Sequence, residues 1–169
     1  EECLAALRAL FDGRSFPGGR LVPPLAGPVL PPPPDGGPAI WIGAQADPVV
    51  RMAGRLADGW NGWGLGPEAF RSKVEILEEA ADERIVTPSW SGIVLAGSDA
   101  TETEELIRKR RERGMDGADW TGTTDELTSL LAELGRAGAE WAVMVLAGPA
   151  DRRSLLAERV LPALRRSIE

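Results

Sequence analysis

The sequence contains no histidine and a single cysteine, Cys3. A His/Cys zinc site, a Ser-His-Asp triad and a Cys-His pair therefore cannot be assembled from it, and a disulfide framework is excluded. Carboxylates could hold Mg²⁺ or work as acid and base, but no clustered Asp/Glu pattern calls for either. Catalysis by this chain must lean on a cofactor, on a carboxylate or hydroxyl, or on residues of another polypeptide. No apolar run approaches the roughly 20 residues that cross a bilayer, and no charged segment leads into an apolar one at the N-terminus. The expectation is a cytoplasmic protein with no membrane partner. Nor does any stretch interleave several Lys/Arg with aromatics, and the net charge is −7, which argues against a nucleic-acid partner. The one cationic run, Arg108 to Arg113, reads as a solvated helix face paired with Glu102, Glu104 and Glu105. What is present is 43% apolar and 27% charged residues, the balance of a chain that buries a core. Its 169 residues allow one domain or part of a larger one.

Glu1 to Phe11 reads as a helix already under way, with Leu4, Leu7, Leu10 and Phe11 at helical spacing and Gly13 as its stop. The simplest account is a downstream piece of a longer chain. Residues 1–13 are expected as a helix tail, 14–38 as a connection and 39–169 as an α/β region, together a single incomplete domain. Between Pro17 and Pro38 lie nine of the fourteen prolines, including Pro31-Pro32-Pro33-Pro34 followed by Asp35-Gly36-Gly37. Each proline removes a donor and fixes φ, so this segment reads as a solvated spacer with neither ladder nor helix.

Beyond it the pattern is regular. Ala39 to Ile42 suits a strand buried on both faces. Asp47 can cap a helix that begins at Pro48 and turns Val49, Met52, Ala53 and Leu56 inward. Gly59 to Trp63 is a second strand, and Pro67 opens a helix carrying Phe70, Val74, Leu77 and Ala81. Trp90 to Ala96 is a third strand. Ser98 or Asp99 caps the helix that follows, with Asp99 and Glu102 fitting a capping box. Thr123 with Glu126 is a second capping box, before the stripe Leu127, Leu130, Leu131, Leu134. Trp141 to Leu146 is the fourth strand. Asp151 onward forms a terminal helix that Pro162 should kink or restart. Strands alternating with helices mean parallel pairing, and four units of about 30 to 40 residues make half of a (β/α)₈ barrel or a small open sheet.

In either architecture a ligand lies beyond the carboxyl ends of the strands. After the first strand come Gly43, Ala44, Gln45 and Ala46, small enough for a phosphate or a ring edge to approach the backbone, although a tight turn needs small residues anyway. After the second, Trp60 and Trp63 flank Asn61 and Gly62; Trp60 reads as core, while Trp63 and Asn61 could stack on and bond to a planar cofactor. Gly97 offers backbone access, and Ser98 reads as a cap. Thr121 to Thr124 could hold a phosphate at a helix N-terminus, but capping explains both Thr123 and Thr124, and Asp116 and Asp119 nearby disfavour an anion. Trp90 reads as structural.

Ala39-Ile40-Trp41-Ile42-Gly43-Ala44, Arg55-Leu56-Ala57-Asp58-Gly59-Trp60-Asn61 and Phe70-Arg71-Ser72-Lys73-Val74 together resemble the C-terminal half of the luciferase-like monooxygenase family, nearest its coenzyme F420-dependent oxidoreductases. Gly122-Thr123-Thr124-Asp125-Glu126-Leu127 is similar to that family's Gly-Thr-Pro-Glu-Glu-Val helix start, with Thr124 in place of Pro. Ala137 to Trp141 is similar to its approach to the last strand. The resemblance implies an α/β fold of the (β/α)₈ TIM-barrel type, to which this chain gives strands five to eight and, at its start, the tail of helix 4. It also implies F420 or FMN as cofactor and hydride transfer with a small-molecule substrate. Gly43, Ala44 and Gln45 match the loop against the cofactor's phosphate-bearing tail, where relatives carry a second Gly or Ser-Gly instead of Gln45-Ala46. Catalytic residues are implied in the preceding half, and no metal is. A half-barrel exposes strand edges, so the partners expected are the N-terminal half or a partner subunit, with homo-oligomerisation. The alternatives are a non-catalytic or truncated half-barrel that associates without cofactor, and a stand-alone small α/β ligand-binding domain.

Overall fold

A computed structural model describes residues 1–27, 37–115 and 117–168. The run Pro31 to Pro34, with Asp35 and Gly36, and Asp116 lie outside the described residues. The strands are β1 (Trp41–Gly43), β2 (Gly59–Trp63), β3 (Thr87–Gly97), β4 (Trp120–Thr123) and β5 (Trp141–Leu146). The helices are α1 (Glu2–Phe11), α2 (Asp47–Leu56), α3 (Pro67–Ala81), α4 (Ala100–Glu112), α5 (Thr124–Arg136), α6 (Arg152–Leu155) and α7 (Leu161–Ile168). Pairing runs in the order β1-β2-β3-β4, and β5 also pairs with β3. The ladders of β3 with β4 and with β5 are both parallel, as the alternation of strands and helices implies.

The chain forms two compact units, one of Glu1–Ile42, Ala46–Trp60 and Ile76–Thr87, the other of Gly43–Gln45, Asn61–Glu75 and Pro88–Glu169. In the first, Asp58 joins the elements: its carboxylate accepts from Arg8 on α1 at 2.6 Å and from the Ile40 N–H at 2.7 Å. Burial works against ionisation of Asp58, but these two donors outweigh it and hold its carboxyl below the usual range. Arg84 donates to the carbonyls of Gly54 and Ala57 at the end of α2, both at 2.9 Å. The buried face of α2 is Val50, Ala53 and Gly54, one position from the stripe expected. Gly54 is buried because α3 approaches so closely that a Cβ there would meet the Leu77 carbonyl and Ala80. The cap of α2 is Ala46 rather than Asp47, which forms its first turn with Pro48. In the proline-rich connection one antiparallel bridge, Phe16 to Leu25, does form. At β1 the expectation of burial on both faces fails. Trp41 is 40% exposed because β1 ends the sheet, with no further strand beside it among the described residues.

The second unit is built on β3, which at both ends exceeds the stretch expected from the sequence. Pro88 is tolerated near its start: the missing donor is not needed there, and the Pro88 carbonyl accepts from the Glu140 N–H at 3.0 Å. β5 pairs along Ser89–Val94 and β4 along Val94–Gly97. β4 is a fifth strand where a helix-leading loop is expected, too short and too rich in Thr and Gly to register as an apolar run. Leu127, Leu131 and Leu134 of α5 are buried, and Leu130 is half-buried. In the terminal helix the ladder shifts to five-residue spacing over Leu156–Val160, where the Leu161 N–H reaches the Leu156 carbonyl. The cause is Pro162, which lacks an N–H and would clash with the carbonyl four residues back.

Candidate functional site

The five residues Gly43, Ala44, Gln45, Asn61 and Trp63 all lie in the second unit. The loop after β1 is tied to β2 twice. The Ala44 N–H donates to the Asn61 carbonyl at 3.2 Å, and Gln45 Nε2 donates to the Trp63 carbonyl at 2.6 Å. Gln45, which stands where relatives of the resembled family carry a small residue, thus becomes a brace. The Ala44 amide is engaged within the protein, while Gly43, Gln45 and Ala46 are exposed. A Cβ at Gly43 would meet no atom within 4 Å. Trp63 is 42% exposed and offers a ring face, whereas Trp60 is fully buried in the core of the first unit.

Asn61 is held by two serines that the sequence reading does not single out. Its Nδ2 donates to Ser89 Oγ at 2.8 Å, and Ser91 Oγ donates to its Oδ1 at 2.6 Å. Both serines are buried. The register of β3 with β4 and β5 is unbroken from Ser89 to Gly97, so its side chains alternate strictly there. Ser89, Ser91, Ile93 and Leu95 share one face; Trp90, Val94 and Ala96 share the other. Trp90 is buried, and its Nε1 donates to the Leu65 carbonyl at 2.7 Å, the structural role expected of it. The legible signal for the polar face is Ser-Trp-Ser at period two, small hydroxyls alternating with a large ring.

Asp119 has a further part. The Gly64 N–H donates to the Ser91 carbonyl at 2.7 Å, and two residues on, the Ile93 N–H donates to Asp119 Oδ2 at 2.7 Å. On the other edge the Val94 carbonyl receives the Ala147 N–H. β2 and β4 thus follow one another along one edge of β3, and the Asp119 carboxylate fills the gap between them.

Beyond β3 the expected access at Gly97 is closed: the place of its Cβ is occupied by Thr103 of α4. Asp99, not Ser98, caps α4 by accepting from the Glu102 N–H at 2.9 Å. Glu102 returns to the Ser98 N–H at 2.7 Å and also receives Nη2 of the buried Arg152 at 3.0 Å, instead of the α4 cations expected. Arg152 Nη1 donates to the Ala96 carbonyl at 3.1 Å and its Nε to Asp151 at 2.9 Å. The guanidinium beside it, followed by the Ser98 N–H, pulls the Glu102 carboxyl down to about 2. Before α5 the phosphate place is also filled. The Thr123 N–H donates to Glu126 at 2.8 Å, completing the capping box, and holds the Glu126 carboxyl below its usual range.

Among the described residues no group of three His, Cys, Asp or Glu could hold a metal, and no helix is long and apolar enough to cross a membrane. What the loop after β1 and the end of β2 present is open space beside Gly43, an exposed ring at Trp63 and a fixed amide at Asn61.

Residues 1–154 match the family model described as luciferase-like monooxygenase. Among solved structures the chain is similar to an F420-dependent secondary alcohol dehydrogenase in complex with an F420-acetone adduct (TM-score 0.76, 14% identity, covering 97% of this chain and 60% of that one). It is also similar to the coenzyme F420-dependent tetrahydromethanopterin reductase of Methanopyrus kandleri (0.65, 17%, 94% and 61%). A third is the oxygenating constituent of 3,6-diketocamphane monooxygenase from Pseudomonas putida, in complex with FMN (0.64, 17%, 96% and 62%). The chain spans less than two thirds of each of these structures. No curated protein matches its sequence.

Proposed function

Because the chain belongs to the luciferase-like monooxygenase family, we propose that it is the C-terminal half, strands five to eight, of a (β/α)₈ barrel that works as a flavin- or deazaflavin-dependent oxidoreductase. Counted in barrel order, β1, β2, β3 and β5 are these four strands, and β4 is an insertion beside the upper part of β3. The bound F420 or FMN would supply the hydride acceptor or donor for a small organic substrate. The observation that carries the reading is the loop after β1, open at Gly43 and tied by Ala44 and Gln45 to the end of β2. In this reading Gly43 lies against the phosphate-bearing tail, Gln45 holds the loop, Trp63 flanks the ring and Asn61 presents an amide fixed by its serines. The catalytic groups come from the preceding half.

The test is to incubate the full-length protein separately with FMN and with F420, desalt it, and record absorbance and fluorescence quenching. Retention of one is expected. Gly43→Val has room for its side chain, so circular dichroism should be unchanged while retention falls at least about tenfold through lost backbone approach. Unchanged affinity removes this loop from the site.

A second reading has its own observation. Trp141, Val143 and Val145 of β5 are 63%, 51% and 49% exposed, an apolar strand left uncovered. This favours an association role, in which the chain meets the first half of the barrel, a partner subunit or another copy without holding a cofactor. Retention of neither cofactor by the full-length protein would select it.

A further inference from the structure

The pairing of β3 with β5 sets Ser89 beside Trp141, Ser91 beside Val143 and Ile93 beside Val145. Paired residues of neighbouring strands turn their side chains to the same side of a sheet. The exposed residues Trp141, Val143 and Val145 therefore stand on the face of β3 that carries Ser89 and Ser91. Asn61 is on that face too, because its amide is bonded to both serine hydroxyls. Trp63, also exposed, follows Asn61 by the alternation of β2. One surface thus runs from Trp63 and Asn61 across the serines to Val143 and Val145, entirely within the second unit.

This surface is apolar except at its middle, and none of the side chains that form it is charged. The carboxylate bonded to this part of β3, that of Asp119, is engaged by the Ile93 N–H. The two buried serines are spent on Asn61, whose Nδ2 carries two N–H groups and gives one of them to Ser89. A donor therefore remains on a half-buried side chain whose amide is held at both ends.

We propose that Val143 and Val145 are the wall of the same site as Asn61 and Trp63, and that the substrate it takes is a small neutral molecule, mostly hydrocarbon, with a carbonyl or hydroxyl oxygen that accepts from Asn61 Nδ2. The inference rests on the barrel reading given above, in which this face lines the lumen. The stripe that lies open on β5 in the separate chain becomes, in a completed barrel, the surface that limits substrate size. Val143 is the position that sets this limit, since it is the register partner of a serine that holds Asn61. Ser89 and Ser91 act through Asn61, as positioning residues. A charged substrate would have to give up its hydration to this wall without a counter-ion.

The test records methyl NMR spectra of the full-length protein, ¹³C-labelled in its valine methyl groups and carrying whichever cofactor survives desalting. It is titrated in parallel with cyclohexanone, cyclohexanecarboxylate and cyclohexylammonium, and Val143→Ala and Val145→Ala assign the two signals. Cyclohexanone should shift both saturably, and each charged analogue should bind at least about tenfold more weakly. Val143→Ala, followed on Val145, should move the preference between cyclooctanone and cyclohexanone roughly severalfold toward the larger ring. Asn61→Asp, to which both serine hydroxyls can still donate, should weaken cyclohexanone and strengthen cyclohexylammonium, a reversal that lost packing would not give. Val143→Ala, at an exposed position, carries the test if Asn61→Asp fails to fold. Shifts confined to other valines, equal binding of the three probes, or an unchanged ring-size preference in Val143→Ala would overturn the proposal. So would the absence of any shift: with a cofactor retained it removes this wall alone, and with neither retained it removes the oxidoreductase reading as well.

Discussion

Arg152 and Glu102 carry more of the geometry around the carboxyl end of β3 than any residue chosen for its chemistry. One guanidinium holds the Ala96 carbonyl, Asp151 and Glu102, and Glu102 in turn holds the Ser98 N–H. The strand end, the loop after it and the start of the terminal helix are thereby fixed to one another. The arrangement makes stability depend on pH with a definite sign. In the unfolded chain Glu102 titrates near 4.5 and in the folded chain near 2. Its contribution is complete above the unfolded value, and it is lost as pH falls through that window, because the unfolded state there binds the proton more readily. Urea midpoints measured at about pH 6 and about pH 3 should therefore differ more in the parent than in Arg152→Met. An equal acid loss in the two would mean that other carboxylates govern it. Arg152→Met should also cost about 1–3 kcal/mol at neutral pH, from the buried Ala96 carbonyl left without a donor. None of this is legible in the chain, where Arg152 lies fifty residues from Glu102 and looks like any arginine early in a surface helix. The same holds for Ser89 and Ser91. Asn61 can be chosen from the sequence as an amide beside two indoles, but its partners come from a strand that only folding brings alongside.

Local chemistry decides how well each element can be read. The Thr123–Glu126 box is complete within four residues, so the start of α5 is legible and both halves of the reciprocal bond form. Removing the hydroxyl in Thr123→Ala should lower stability by about 1 kcal/mol in urea unfolding, and Thr123→Ser should restore most of it. No loss would mean that Glu126 alone holds the helix end. Where an element depends on a distant partner, the reading slips. The inward face of α2 moves one position because Gly54 lies against α3, a contact that apolar periodicity cannot register. β4 escapes because its pairing comes from the length of β3, which has room for β4 beyond the end of β2, with Asp119 closing the interval. Asp119 itself reads from the sequence only as a charge hostile to phosphate. The terminal helix falls between these cases: Pro162 predicts a disturbance, and the wide turn over Leu156–Val160 places it just upstream of the proline.

Taken over the whole molecule, the conflict lies in where apolar residues are exposed. β5 reads Trp-Ala-Val-Met-Val-Leu, the composition of a strand covered on both sides in a parallel sheet, yet its alternate side chains from Trp141 to Val145 stand in solvent. A strand this apolar left open is a site of association, because burying such a surface in another chain removes it from water. The chain as given should accordingly self-associate, with sedimentation velocity showing species larger than a monomer at concentrations of order ten micromolar. Placing like charges in Val143→Lys with Val145→Lys should shift the distribution to monomer while leaving the helical signal intact, since neither position is buried. If the chain is half of a barrel, as proposed above, joining the other half should have the same effect without any substitution, and should blue-shift tryptophan fluorescence as Trp141 leaves water. Charge substitution makes a second copy unwelcome but covers nothing, whereas completion of the proposed barrel would cover the strand. A monomeric parent chain would remove the argument that β5 is built to be covered; dispersal by the lysines with no blue shift on joining would assign the strand to copies of this chain instead.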